Sequence, residues 1–367
     1  MLADLTAAGA LGEGWRGAFE RAPRSAFVPD EIWVDDDGYR LVSRAVNPAE
    51  WWVEVNADRQ VVTQVDDGRV GGPGVATSSG SMPSLVASML RHLDVEDGHS
   101  VLDVGTGTGW TSALLCTRLG AGSVTTVEVD PAVAAAAGER LATLGLRPSR
   151  VVGDGLLGYP AGGPYDRIHA TAAVQRVPLP WIEQTRPGGV IVTPWGTPYA
   201  NAGLLRLEVG ERGRESYGRF VGDVSFMWMR DQRPHAVEAP VDRSPDHRGS
   251  SPIDPELAEE NVHAAFAIGL RVPGVRTLHC WEAADPSGTH RFQLMDNAGS
   301  WTSVRFRDWD GVDAVQQAGP RRLWDEVTAA RTAWEKDGKP KLTRFGVTVT
   351  VGGQQQVWLD DPEHVLH

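Results

Sequence analysis

Val101-Leu-Asp-Val-Gly-Thr-Gly-Thr-Gly109 decides the fold. The first four residues are a short apolar run carrying one acid, and Gly98 and Gly105 bound it as a buried strand. Three glycines directly behind such a strand let the backbone turn sharply, approach a ligand closely and open a helix, expected here over 110–119. Taken alone, such a loop is weak evidence. Its spacing is G-x-G-x-G with Asp103 two residues ahead of the first glycine, whereas the dinucleotide fingerprint is G-x-G-x-x-G over a pyrophosphate. A carboxylate beside the loop suits a cationic amino-acid group better than a phosphate. Asp103, Gly105, Thr106, Gly107 and Gly109 are therefore expected around a ligand of that kind.

On either side the pattern alternates. A helical stretch from about Ser84 precedes the strand; after the loop helix come SVTTVEVD as a second strand and an Ala-rich helix over 131–144. Further strands are expected at 150–152, 165–170 and 189–193. The uncharged stretch 188–205 contains Pro194, Gly196 and Pro198, and reads as a buried strand followed by a loop. This alternation predicts an α/β fold: a doubly wound, mostly parallel, Rossmann-like sheet covered on both faces. Glu128 ends the second strand about twenty residues beyond the loop, where an acid takes the two hydroxyls of a ribose, and Val129 follows it. Asp154 and Gly155 follow the third strand, in reach of an adenine edge. Singly these are ordinary strand-end acids. Together, at the C-terminal ends of successive parallel strands, they point to a bound adenosine compound.

Length and composition frame the rest. At 367 residues the chain suits two domains, and with 41% hydrophobic and 23% charged residues it reads as globular. The excess of 48 acidic over 35 basic residues divides almost evenly between 1–230 and 231–367, which disfavours a nucleic-acid partner. Lys336, Lys339 and Lys341 are the only lysines, so arginine is the expected carboxylate binder. Cys116 and Cys280 are too few for a disulfide framework or a zinc site, so no metal is expected and a reducing cytoplasm is the simplest location. The opening MLADLTAAGALGEGW lacks the positive charge of a signal peptide, and no apolar run approaches membrane-spanning length.

Residues 231–256 are rich in Pro, Asp, Arg and Ser and read as a linker. Beyond it a helix ending near Leu270 and strands TLHCWEA, THRFQLMD and SWTSVRF, with turns at DPSG and NAG, predict a smaller α+β domain over 257–367. RRLWDEVTAARTAWEKDG is an amphipathic helix with Leu323, Trp324, Val327, Ala330 and Trp334 on one face. FGVTVTV and QQVWL are expected to close that domain as strands. Trp281, Trp301, Trp309, Trp324, Trp334 and Trp358 crowd it, with core as the default reading and a peptide-binding patch as the lesser one. Elsewhere, His169 reads as a packed histidine, Cys116 as core, and Asp35-Asp36-Asp37 as a solvated turn. Trp51-Trp52 read either as a cleft wall or as packing under an acidic loop.

Ala22-Pro23-Arg24, Phe27-Val28-Pro29, Ser81-Met82-Pro83, VLDVGTGTGW, VEVD, VVGDGLLGYP, PYDRIHATAA and VPLPWIEQTRPGGVIVTPWG, in this order over about 14–196, resemble class I S-adenosylmethionine methyltransferases. Within them they resemble the protein-L-isoaspartate O-methyltransferase family. The resemblance implies S-adenosyl-L-methionine as cofactor, S-adenosyl-L-homocysteine as product, and a peptide or protein partner bearing Asp or isoAsp, with no nucleic acid or membrane. It makes Ser81 the active-site residue beside the transferred methyl and lays Ser78, Ser79 and Gly80 along the cofactor, with Gly105, Glu128, Asp154 and Gly155 on cofactor-binding positions. The methyltransferase domain would be 1–230, with a lid region over 1–80. Residues 35–77 depart from the family's usual pattern, and the extension beyond 230 resembles homologues that modify ribosomally made peptides. General protein repair is the alternative within the family, and an inactive cofactor-holding docking protein the alternative outside it. A dehydrogenase fails on glycine spacing, and an RNA methyltransferase is opposed by the acidity of both halves.

Overall fold

The computed structural model describes residues 1–35, 38–72, 74–211, 214–234, 244–281 and 290–366, with only the backbone of Glu13 and Trp281. Asp36 and Asp37 of the acidic run, the turn expected at 285–288 and residues 235–243 of the expected linker lie outside the described residues.

Helices α1 (Leu2–Ala7) and α2 (Glu13–Arg21) precede an antiparallel sheet of β1 (Glu31–Asp35), β2 (Tyr39–Ser43), β3 (Val61–Val65) and β4 (Ala76–Gly80), ordered β2-β1-β3-β4. Helix α3 (Pro48–Asn56) lies between β2 and β3 in the chain. Its Trp51 and Val55 pack with Ile32, Val34, Val42 and Val61 into a small separate core. Residues 31–80 thus carry a sheet of their own. Trp51 packs it down, donating its indole N–H to the Pro29 carbonyl at 2.9 Å, while Trp52 stays half exposed.

The chain continues through α4 (Pro83–Leu93), β5 (Val101–Val104), α5 (Trp110–Leu119), β6 (Val124–Glu128), α6 (Pro131–Thr143), β7 (Ser149–Val152) and β8 (Tyr165–Ala170). After α7 (Leu179–Glu183) come β9 (Thr185–Gly196), β10 (Asn201–Glu208) and β11 (Ser216–Asp223). The strands β7-β6-β5-β8-β9 are parallel, and the strand order reverses beside β5, between β6 and β8. In an open parallel sheet that switch point places a ligand crevice outside the C-terminal strand ends, where the glycine loop lies. Strand β9 runs through Pro194 instead of stopping before it. The Pro194 carbonyl accepts from the Val174 amide at 3.0 Å, so the chain keeps pairing at the proline through its carbonyl.

Next come β12 (His247–Gly249), α8 (Val262–Arg271), β13 (Arg276–Trp281), β14 (His290–Met295), β15 (Trp301–Arg305), β16 (Val315–Ala318) and α9 (Leu323–Lys336). Strands β17 (Phe345–Val349) and β18 (Gln355–Leu359) complete the order. The five-stranded antiparallel sheet β12-β16-β15-β14-β13 shares a core with α8 and α9 through Ile268, Phe292, Leu294, Val304, Leu323, Trp324 and Val327. The buried face of α9 is the one read from its periodicity, plus Arg331, which is neutralised by Glu260 at 2.6 Å and Glu335 at 3.0 Å. Trp301, Trp324, Trp334 and Trp358 are buried, which removes them as an exposed peptide-binding patch.

The chain divides into two compact units, one of residues 1–172, 177–193 and 206–216, the other of 173–176, 194–205 and 217–367. This does not coincide with a break at 230. Strands β17 and β18 continue the large sheet, whose order is β18-β17-β11-β10-β9-β8-β5-β6-β7, and do not close the smaller one. The expected linker contains β12, which pairs with β16. Polar composition hid both facts, because a three-residue edge strand carries no periodicity and partner choice between strands is non-local. Among the described residues, no helix is long and apolar enough to cross a membrane.

Candidate active site

The whole glycine loop lies in the first unit, at the C-terminal end of β5. Gly105 and Thr106 donate their amides to the Val127 carbonyl at 2.9 and 3.2 Å, and Gly109 donates to Thr106 at 2.9 Å. Gly107 donates to Glu128 Oε2 at 2.9 Å. Those four amides are committed within the protein, so the loop lacks the outward row of donors that a pyrophosphate cradle needs. Two glycines are obligatory for close approach. Gly105, at φ +87°, receives the Thr171 hydroxyl on its carbonyl at 2.7 Å, and a Cβ there would stand 3.0 Å from that hydroxyl oxygen. Gly109, at φ +92°, opens α5 where a Cβ would stand 3.2 Å from that of Ala137.

Glu128 is 9% exposed and is held at the end of β6 by two backbone donors, Gly107 and, on Oε1 at 3.1 Å, Asp130. Such donors favour the carboxylate form and set its orientation. Its own carbonyl accepts the Gly153 amide at 2.9 Å, tying the ends of β6 and β7 together. Asp154 then caps a short turn by accepting from Leu156 at 2.9 Å, and the Gly155 carbonyl is held by the Trp181 indole at 2.8 Å. Val129, between the two acids at the strand ends, is an exposed apolar side chain. Glu128, Val129, Asp154 and Gly155 thus share one rim, and this donor set fits an adenosine: acidic acceptors for a diol and an apolar surface for a base.

Asp103 requires a correction. It is 0% exposed, and its side chain points into the protein, away from any crevice. Oδ2 accepts from Ser112 at 2.6 Å and Thr126 at 3.5 Å, and Oδ1 faces His169 Nδ1 at 3.0 Å. Thr106 completes the chain, its hydroxyl 2.6 Å from that of Thr126. Ser112 and Thr126 donate to Oδ2, and the Thr106 and Thr126 hydroxyls share a hydrogen bond in which either can be the donor. Asp103 therefore acts on the loop from beneath and is not a ligand contact. The reason is strand alternation, with register pairing Asp103 to His169 on β8. His169 is the packed residue expected, although its buried Nε2 has no partner among the described residues. Burial, and after it the nearby Asp103, push the Cys116 thiol up to about 12, so this core cysteine is no nucleophile.

Ser78 to Gly80 form the end of β4, paired with β3 through Val62↔Ser79 and Val61↔Gly80. A methyl placed on Gly107 would lie 3.9 Å from Ser78 Oγ and from the Ser79 carbonyl oxygen, so this strand runs alongside the loop. Gln64 of β3 donates to Asp130 at 3.1 Å and accepts from Thr77 at 2.9 Å, stitching both strands to the end of β6. Ser81 follows directly, half-buried, between β4 and the first turn of α4. The structure thus gathers Ser78 to Ser81, the glycine loop and Glu128, leaving Asp103 below them. Thr171, Thr126, Ser112 and Gln64 escaped sequence reading; their only signal is a polar residue inside or beside an otherwise apolar element.

A switch-point glycine loop with an oriented acid on the next strand is a Rossmann-like arrangement. Residues 74–213 match the model of the family described as Protein-L-isoaspartate(D-aspartate) O-methyltransferase (PCMT). The Protein-L-isoaspartate O-methyltransferase of Xanthobacter autotrophicus is 44% identical over 135 residues, covering 36% of this chain and 61% of that one. The relative of the same description from Aeropyrum pernix is 46% identical over 121 residues, 32% of this chain and 46% of its own. The chain thus spans roughly half to three-fifths of the length of the curated relatives it matches. A solved structure described as a protein-L-isoaspartate O-methyltransferase aligns over 98% of both chains with a TM-score of 0.56 at 19% identity, a likeness of fold that extends through the second unit.

Proposed function

We propose that this protein is an S-adenosyl-L-methionine-dependent carboxyl O-methyltransferase acting on Asp or isoAsp in a peptide or protein. The observation that carries this reading is the oriented Glu128 carboxylate on the rim beside a loop whose amides are turned inward, with Ser78 to Ser81 running alongside. Glu128 would hold the ribose, Asp154 and Val129 the adenine, and the loop and β4 the amino-acid end. The cofactor supplies an electrophilic methyl on a sulfonium. A carboxylate is ionised at neutral pH, so its oxygen can take that methyl carbon while the C–S electron pair stays on sulfur, with no general base. The chain's part is orientation and exclusion of water at near-attack distance. Ser81, near the N-terminus of α4, would donate its hydroxyl to the substrate carboxylate.

The finer reading is a constrained, ribosomally made peptide as substrate. It is supported by the long extension beyond the matched segment and by the separately folded sheet over β1 to β4, which precedes Ser81. In the ester, the next backbone nitrogen can attack the carbonyl, forming the C–N bond of a succinimide as methanol leaves with the amide proton. Incubation with methyl-labelled cofactor and matched Asp and isoAsp peptides should give base-labile label and a product 18 mass units lighter than the peptide, the mass of water lost on ring closure. Ser81→Ala should lower kcat while the affinity for S-adenosyl-L-homocysteine stays nearly constant. Absence of transfer to either carboxylate, together with absence of homocysteine-product binding, would overturn the reading.

A further inference from the structure

Arg24 is 1% exposed, yet among the described residues no carboxylate oxygen lies within ion-pair range of it. Its guanidinium donates to four backbone carbonyls instead: from Nη1 to Val55 at 2.8 Å and Ala57 at 3.3 Å, and from Nη2 to Arg59 at 2.8 Å and Gly80 at 2.7 Å. Nε has no partner among the described residues. Burial holds its pKa down, to about 10, with Asp58 opposing that shift. A buried cation is costly unless its hydrogen bonds are supplied, so this arrangement persists only because the surrounding backbone is shaped to it.

The four carbonyls come from two segments, the exit of α3 toward β3 and the last residue of β4. Gly80 is the residue before Ser81. On the other side of Ser81, Asp58 accepts the Ser84 amide in the first turn of α4 at 2.8 Å, a helix cap supplied from the same exit segment. The turn Ser81-Met82-Pro83 therefore hangs between two fixed points, the Gly80 carbonyl and the Ser84 amide, and both are held through residues 55–59. No side-chain hydrogen bond caps α4 from Met82. An arginine suits this role because its planar fork reaches several acceptors at fixed angles; a lysine ammonium would not span them.

We infer that Arg24 and Asp58 form a clamp that positions Ser81 for the transfer step, neither of them touching substrate or cofactor. This rests on the methyltransferase reading for its kinetic consequence but not for its structural one. A misplacement of about 1 Å in a reacting arrangement costs up to roughly 100-fold, so the clamp should govern kcat and spare binding.

The test uses the full chain with Arg24→Ala, Asp58→Ala and Asp58→Asn. Arg24→Ala should lower kcat on an isoaspartyl peptide roughly 10- to 100-fold, with KM and homocysteine-product affinity within about twofold. Added guanidinium ion, which fits the vacated site, should restore part of the rate. Asp58→Ala should lower kcat severalfold, and Asp58→Asn, which keeps the accepting oxygen, should recover it. Hydrogen exchange over 80–86 should accelerate in both alanine variants, whatever reaction the enzyme performs. If Arg24→Ala does not fold, the exposed Asp58 pair carries the test alone. Unchanged exchange over 80–86, or a kcat loss matched by an equal loss of product affinity, overturns the clamp. If the wild type transfers no methyl while the exchange differences appear, the clamp stands and the proposed reaction falls.

Discussion

Two polar clusters are centred on fully buried side chains, one in each unit, and they are built on opposite principles. In the second unit Gln317, 1% exposed, accepts on Oε1 from Thr302 at 3.1 Å and from the Trp324 amide at 2.9 Å, and donates to Asp325 at 3.0 Å. It caps α9 from a neighbouring strand, where the N-cap residue Arg322 provides no side-chain bond. Each group in it both has and needs a partner inside the unit. In the first unit Asp103 gathers donors from Ser112, Thr126 and His169, and the chain runs outward to Thr106 in the glycine loop. One cluster closes on itself; the other ends at the site. A closed cluster should matter to stability alone, and one that ends at a site should matter to both stability and binding.

The largest expected effect is that of Asp103→Ala, which leaves several buried donors facing an empty space and should cost about 3 kcal/mol or more of stability, read by urea unfolding. It also sharpens the comparison. Because the loop is assigned to the amino-acid end, the affinity for S-adenosyl-L-homocysteine should fall more than that for 5′-methylthioadenosine, which lacks that end. Unchanged affinity for both would separate the Asp103 cluster from the site.

Gln317→Leu should cost on the order of 1–3 kcal/mol of stability by stranding the α9 cap and Thr302. Its product affinity should equal that of the wild type, and calorimetry showing otherwise would break the contrast between the clusters. Glu128→Ala reverses that profile. It should weaken the homocysteine product by about 1–3 kcal/mol through lost charge-assisted hydrogen bonds, with a smaller change in the unfolding midpoint.

The smallest effect concerns Cys116, beside the Asp103 cluster. Burial pushes its thiol up from the ordinary 9.0 to about 12, so peptide mapping after treatment with a thiol reagent at pH 8 should find it unmodified. The sign follows from the raised value. The contribution is fully present below about 9, the unfolded value, and is lost as pH rises toward about 12, because only the unfolded chain ionises in that window. Cys116→Ala should flatten stability there, and a slope identical to the wild type's would show the thiol is not buried as described.

How far the sequence could be read differs between stretches. The loop, the strands around it and the buried face of α9 were legible, because glycine spacing and periodicity are carried by residues close in the chain. Strands β1 to β4 were not, since their short runs mix polar and apolar residues and alternate weakly. Pro194 misled because whether a proline ends a strand depends on which side of it is paired. At the candidate site, Glu128, Val129, Asp154 and Gly155 were expected from their position after strands, while Thr171, Gln64 and the Arg24 clamp lie in stretches with no spacing rule to mark them.

By itself, then, the sequence determined the parallel α/β order, the glycine loop and the acid on the second strand, all encoded within a few tens of residues by steric and periodic constraints. Only the tertiary structure decided that Asp103 faces His169 across the strand, that β17 and β18 extend the large sheet, and that the carbonyls of residues 55, 57, 59 and 80 meet on one guanidinium. Those outcomes depend on the register of distant strands and on the face each side chain takes. A shift of one residue in pairing would reverse them with no change in local pattern.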